Sequence, residues 1–153
     1  MKKILSLLLL CVLVLSLAGC GSEAPKEIDG QALAGELMDA AVFSVPLDEL
    51  KASKAGVFYS VDGAKLADAV MYHGSGTSKE QVVIFKAVDE KSAAEMQETL
   101  KGLVAEWIEA DRNYAPAEAA KLEKAVLRQG GVYVVLVVAA DADKAAEIVG
   151  KQF

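Results

Sequence analysis

The residues with the most specific chemistry stand at the start of the chain. Leu17-Ala18-Gly19-Cys20 follows Lys2, Lys3 and an almost unbroken apolar run from Ile4 to Leu17. A positive head, an apolar stretch and small residues at the cut are the parts of an export signal. A cysteine directly after the small pair fits a lipobox, in which the thiol accepts a lipid and the chain is cut just before it. The expected mature protein therefore begins at an acylated Cys20. The apolar run is shorter than the roughly 20 residues a spanning helix needs, and Gly21, Ser22, Glu23 and Pro25 follow it, the flank of a cleavage site. An ordinary secretory signal is the alternative, and it would not require the cysteine. Two acyl chains anchor stably where one binds only marginally.

Other chemistry-bearing residues have weaker partners. His73 is the sole histidine and lies two residues from Ser75 in a glycine-rich stretch. A base next to a hydroxyl is what an activated nucleophile needs, but no G-x-S-x-G elbow accompanies the pair, so a solvent-facing hairpin tip is the preferred reading. Gly74 to Lys79 lacks the G-x-x-x-x-G-K spacing of a phosphate loop and precedes no helix. Asp141 and Asp143 could open a calcium loop, but its glycine is missing and Gln152 stands where the bidentate glutamate belongs. Helix capping by Asp141 is the better reading. Arg112 and Tyr114 form the one candidate interaction patch, since arginine and tyrosine are the side chains that anchor interfaces. The bland reading pairs Arg112 with a nearby carboxylate. No catalytic residue, metal ligand or cofactor is expected.

Bulk composition narrows the classes further. Cleavage before Cys20 removes 19 of 153 residues and leaves 134, one ordinary domain. Lys2 and Lys3 go with the signal, so 16 basic residues become 14 against 22 acidic ones and the charge moves from −6 to −8. An acidic body repels nucleic-acid phosphates and anionic lipid heads. No nucleic acid is expected as partner, and the membrane contact is expected through the lipid alone. Cys11 leaves with the signal and Cys20 carries the lipid, so no thiol is expected for disulfides, metal or catalysis.

The elements that must hold these residues follow from periodicity. The expected division is a signal over 1–19, a lipidated tether over 20–27 and a single α+β domain over 28–153. From Asp29, a capping residue, Leu33, Leu37 and Ala41 recur at helical spacing. Pro46 ends that helix, and Leu47 to Lys51 is expected to form one further turn. Val57 to Val61 is strand-like by residue type, and so short a run reads equally as a buried turn. Two hairpins are expected. Leu66 to His73 pairs with Gln81 to Val88, and Ala125 to Gln129 pairs with Val132 to Ala140 around Gly130-Gly131, a dipeptide suited to positive φ in a tight turn. Val132 to Val138 is apolar on both parities and belongs in the middle of the sheet.

Between the hairpins, Met96, Leu100, Leu103, Val104, Trp107 and Ile108 mark one face of a helix from about Lys91 to Asn113. Ser92 and Glu95 stand at capping-box spacing, with Asp89 as competitor. Pro116 starts a short helix reaching about Lys124, and Asp141 caps a last one from Ala142 to Val149. The expected fold is a mostly antiparallel four-stranded sheet from two hairpins, packed with a long helix and shorter ones.

The lipobox, the long helix ending in Arg112-Asn113-Tyr114-Ala115-Pro116 and the strand Gly130-Gly131-Val132-Tyr133-Val134-Val135-Leu136-Val137-Val138 together resemble the small Gram-positive envelope lipoproteins called domain of unknown function 4358. The likeness runs from about Leu47 to Ala146. On the long helix, where members carry basic and glutamine residues, this chain has Gln97, Lys101 and Glu106. The resemblance implies location and fold and brings no activity with it. The expectation is a lipid-anchored extracytoplasmic protein on the cell membrane that binds another envelope protein. A small-ligand carrier accessory to transport is the competing class, and an enzyme ranks third.

Overall fold

The computed structural model describes residues 26–153. The expected signal, the lipobox with Cys20 and most of the tether lie outside the described residues.

Helix α1 (Gly30–Asp39) starts where Asp29 holds an extended backbone and its carboxylate accepts a hydrogen bond from the Ala32 N–H at 3.0 Å. Leu33, Ala34 and Leu37 form its buried face. It unwinds through Ala41, whose φ of 54° no longer continues a right-handed helix. The expected helical turn after Pro46 is instead strand β1 (Leu47–Glu49), antiparallel to β2 (Leu66–Gly74) with Leu47 opposite Gly74 and Glu49 opposite Tyr72. Proline holds the residue before it extended, and the free edge of β2 offers hydrogen bonds that an isolated turn lacks. The sheet therefore gains a fifth strand.

Val57 to Val61, open in the sequence between a strand and a buried turn, begins within a short helix. After a 3₁₀ turn (Ala52–Lys54) the chain forms helix α2 (Ala55–Tyr59), which ends at Ser60 with φ of 55°. Ala55 and Tyr59, four residues apart, are buried on one face, while Val57 points to solvent and is 78% exposed. Burial of every fourth residue suits a helix, and it overrides the β-prone residue types.

The two expected hairpins form. β2 pairs with β3 (Gln81–Ala87), and β4 (Val126–Gly130) pairs with β5 (Tyr133–Val138), all antiparallel in the order β1-β2-β3-β5-β4. Gly130 pairs with Tyr133, so the central turn residues are Gly131 and Val132 rather than Gly130 and Gly131. Gly131 has φ of 53°, and a single positive φ at the first turn position is the pattern of type II′.

Strand β5 is buried along its whole length between β3 and β4. Tyr133, Val135 and Val137 face one core with α1 and helix α5 (Ala142–Gly150). Val134, Leu136 and Val138 face the other with α2, helix α3 (Glu90–Asp111) and helix α4 (Pro116–Leu122). Each such side chain contributes about 1.5–3 kcal/mol on leaving water. Asp89 wins the cap of α3, accepting from the Ser92 N–H at 2.7 Å, and Glu95 instead pairs with Lys65. The fold is α+β with helices on both faces of one antiparallel sheet.

Candidate functional site

At one end of the sheet, four separate segments meet around a buried carboxylate. Glu80 ends the β2–β3 loop, and its side chain is 0% exposed because α4 and the α1–β1 connection close over it. Its oxygens accept from the Ser44 N–H at 2.6 Å, from the Ser44 hydroxyl and from Lys121 Nζ at 2.6 Å. Lys121 also donates to Glu118 at 2.9 Å, an i,i+3 pair on the same face of α4. Glu118 in turn accepts from the Lys79 backbone N–H at 2.7 Å, and Lys79 Nζ lies 3.1 Å from Asp111 Oδ2 at the end of α3. That last contact is an ion pair without hydrogen-bond alignment.

The charges hold one another in place. Burial alone disfavours an ionised Glu80, but Lys121 and Ser44 outweigh it and keep its carboxyl below the usual range. Burial likewise works against Glu118, and the Lys79 N–H and Lys121 reverse the balance. On Lys121 the two carboxylates overcome burial and raise the ammonium pKa. Both carboxylates are therefore charged at neutral pH, and neither is poised as a general acid.

Beside this cluster lies an open cleft of about 330 Å³ lined by Phe58, His73, Lys79, Gln81 and Trp107, with Tyr59 at its floor. Tyr59 donates its hydroxyl to Gln81 Oε1 at 2.8 Å and meets Phe85 and Trp107 edge-on, with ring centres 5.8 and 6.2 Å away. Burial pushes the Tyr59 phenol well above its ordinary pKa. Phe58 is 44% exposed at the rim, 6.0 Å from the His73 ring. His73 Nδ1 faces the Gly74 carbonyl at 3.1 Å, so Nδ1 carries the proton and Nε2 is the position left for another group. The cleft thus offers aromatic surface on its walls, with an imidazole and an ammonium beside it.

His73 lies in the cleft wall, while Ser75 is in the exposed loop. No hydrogen bond joins them among the described residues. Asp141 accepts from the Lys144 N–H at 3.1 Å and caps α5. Among the described residues no three His, Cys, Asp or Glu side chains gather to hold a metal. Arg112 pairs with Glu109 at 2.9 Å on the surface, as the bland reading has it, and Tyr114 is 91% exposed. Both follow Asp111, whose carboxylate pairs with Lys79 of the cleft lining, and neither lines the cleft itself. Cys20 lies outside the described residues.

The cluster of Ser44, Glu80, Glu118 and Lys121 was not singled out in the sequence. A glutamate immediately before an apolar strand and a Glu-x-x-Lys pair on a short helix are its only signals, and neither points to the other.

A model of the family described as Domain of unknown function (DUF4358) matches residues 40–139, which span the sheet, the cleft and the ion cluster. No curated protein and no solved structure matches the chain. Among the described residues, no helix is long and apolar enough to cross a membrane.

Proposed function

The chain belongs to the family described as Domain of unknown function (DUF4358), and from that premise we propose that it is a lipid-anchored extracytoplasmic module that binds another protein of the cell envelope. The lipobox supports the anchor. The observation that carries the binding reading is the cleft at the sheet end, where Phe58 and Trp107 offer aromatic surface and exposed Tyr114 stands at the adjoining helix end. Aromatic residues gathered on a rigid frame are the composition of binding anchors. Here the frame is made rigid by the ion cluster, which ties the β2–β3 loop to α3 and α4.

A second reading has support in the cleft's concavity. At about 330 Å³ it lies at the low end of small-molecule pockets, and a compact ligand with an apolar face would use the same rings. Site-specific photo-crosslinking in envelope membranes separates the two. A crosslinker at position 58 or 114 captures one protein reproducibly, and the same crosslinker at Glu147, exposed on α5, does not. Equal capture from all three positions would discard the protein-binding reading, and loss of capture on adding small-molecule envelope extract would favour the ligand reading.

A further inference from the structure

Strand β4 is an edge of the sheet, paired only with β5. Gly130 and Tyr133 close the hairpin, so the N–H and C=O groups of Val126, Arg128 and Gly130 point to β5. Those of Leu127 and Gln129 point outward by the alternation of an antiparallel ladder. The edge carries no proline or bulge, two of the devices that blunt such edges. It is flanked by a groove on each face of the sheet. On the α5 side a groove of about 390 Å³ is lined by Lys124, Arg128, Asp143 and the small residues Ala142 and Ala146. On the α3 side one of about 240 Å³ is lined by Val104, Ala105, Ile108 and Leu127.

We propose that β4 receives an extended, acidic segment of a partner protein as a sixth strand, with a carboxylate opposite Arg128 and apolar side chains in the α3 groove. An added strand bonded to Leu127 and Gln129 places one residue directly opposite Arg128, in the non-hydrogen-bonded position where side chains come closest. Its two neighbours then point to the α3 side, where Val104, Ala105, Ile108 and Leu127 give apolar surface between the charged Lys101 and Glu123. Arg128 and Lys124 are exposed, and neither has a carboxylate within ion-pair distance among the described residues, which leaves two cations beside the edge of an acidic protein. Asp143 is the one opposing charge in that groove.

A second copy is the wrong occupant. The two-fold pairing that uses all the outward groups sets Leu127 against Gln129 of the other copy and Arg128 against Arg128. Like charges directly opposite each other destabilise a strand pair.

The test uses the full chain in detergent micelles with capped peptides containing Thr-Val-Glu-Val-Thr, the same core with lysine for glutamate, and the glutamate peptide N-methylated at both valines. The glutamate peptide binds about tenfold tighter than the lysine peptide, the N-methylated peptide does not bind, and the Leu127 and Gln129 amides become protected from exchange. Arg128→Glu reverses the charge preference. Gln129→Pro, which removes one outward donor and keeps the β5 ladder, weakens binding of both unmethylated peptides. Equal affinity for the two charges, an unchanged preference in Arg128→Glu, or protection at Leu127 and Gln129 from self-association without peptide would each overturn the proposal.

Discussion

Lys121 Nζ lies 2.6 Å from a Glu80 carboxylate oxygen although 41 residues separate them, and the carboxylate it meets is wholly out of contact with solvent. The pair couples α4 to the entry of the buried strand β3. Removing one partner leaves the other charge buried, which typically costs about 3–5 kcal/mol. Lys121 keeps 21% exposure and water can partly replace it, so Lys121→Met is expected to cost roughly 2–3 kcal/mol. Urea unfolding measures it. The double variant Glu80→Leu with Lys121→Met should lose less than Lys121→Met alone, and a larger loss would mean the pair is not the source of the effect.

Stability should depend on pH in a window these groups define. Glu80 and Glu118 have folded pKa values below their ordinary value of 4.5. Their contribution is therefore complete above that value and is lost as pH falls through the folded values. Lys121 is raised above 10.5, and Tyr59 above 10.0, so their contributions are complete below those ordinary values and are lost as pH rises toward the folded ones. Urea midpoints should be level from about pH 5 to pH 10. Glu80→Gln should shrink the acid limb and leave the alkaline effect of Tyr59 in place.

Tyr59→Phe removes the hydroxyl that meets Gln81 in the cleft floor. Gln81 is itself buried, so its amide oxygen loses a partner without gaining water, at a cost of about 1–3 kcal/mol. Trp107 packs edge-on against the Tyr59 ring. Its emission maximum should therefore shift little while the unfolding midpoint falls, and a large shift would mean the ring has moved.

Arg112→Ala with Tyr114→Ala removes one surface ion pair and a side chain that is 91% exposed. Exposed substitutions of this kind stay within about 0.5 kcal/mol. The melting temperature should hold within a few degrees while crosslinking from position 58 to its partner weakens. Normal capture would remove both residues from the binding surface.

Cys20→Ala removes the lipid acceptor. Metabolic labelling with a fatty acid should lose its signal, and the uncut precursor should accumulate. Equal label in the variant would overturn the lipoprotein reading.

Local chemistry and periodicity were enough for the larger elements. Asp29, Asp89 and Asp141 mark helix starts because a short carboxylate satisfies the first free N–H groups wherever it stands. The even burial of β5 is legible because a run apolar on both parities has no face to spare for water. Leu47 to Glu49, expected as a helical turn, and Val57 to Tyr59, open between strand and turn, are short. β1 exists because the edge of β2 is there to receive it, and α2 because Ala55 and Tyr59 have a core to enter. The candidate site was hidden for the same reason. Ser44, Glu80, Glu118 and Lys121 are unremarkable in the sequence, since a charge in a polar loop and one buried beneath a helix have the same letter. Only the packing of α4 and the α1–β1 connection over the start of β3 takes Glu80 out of water. That desolvation makes its partners necessary, and it makes the cleft beside them a fixed shape.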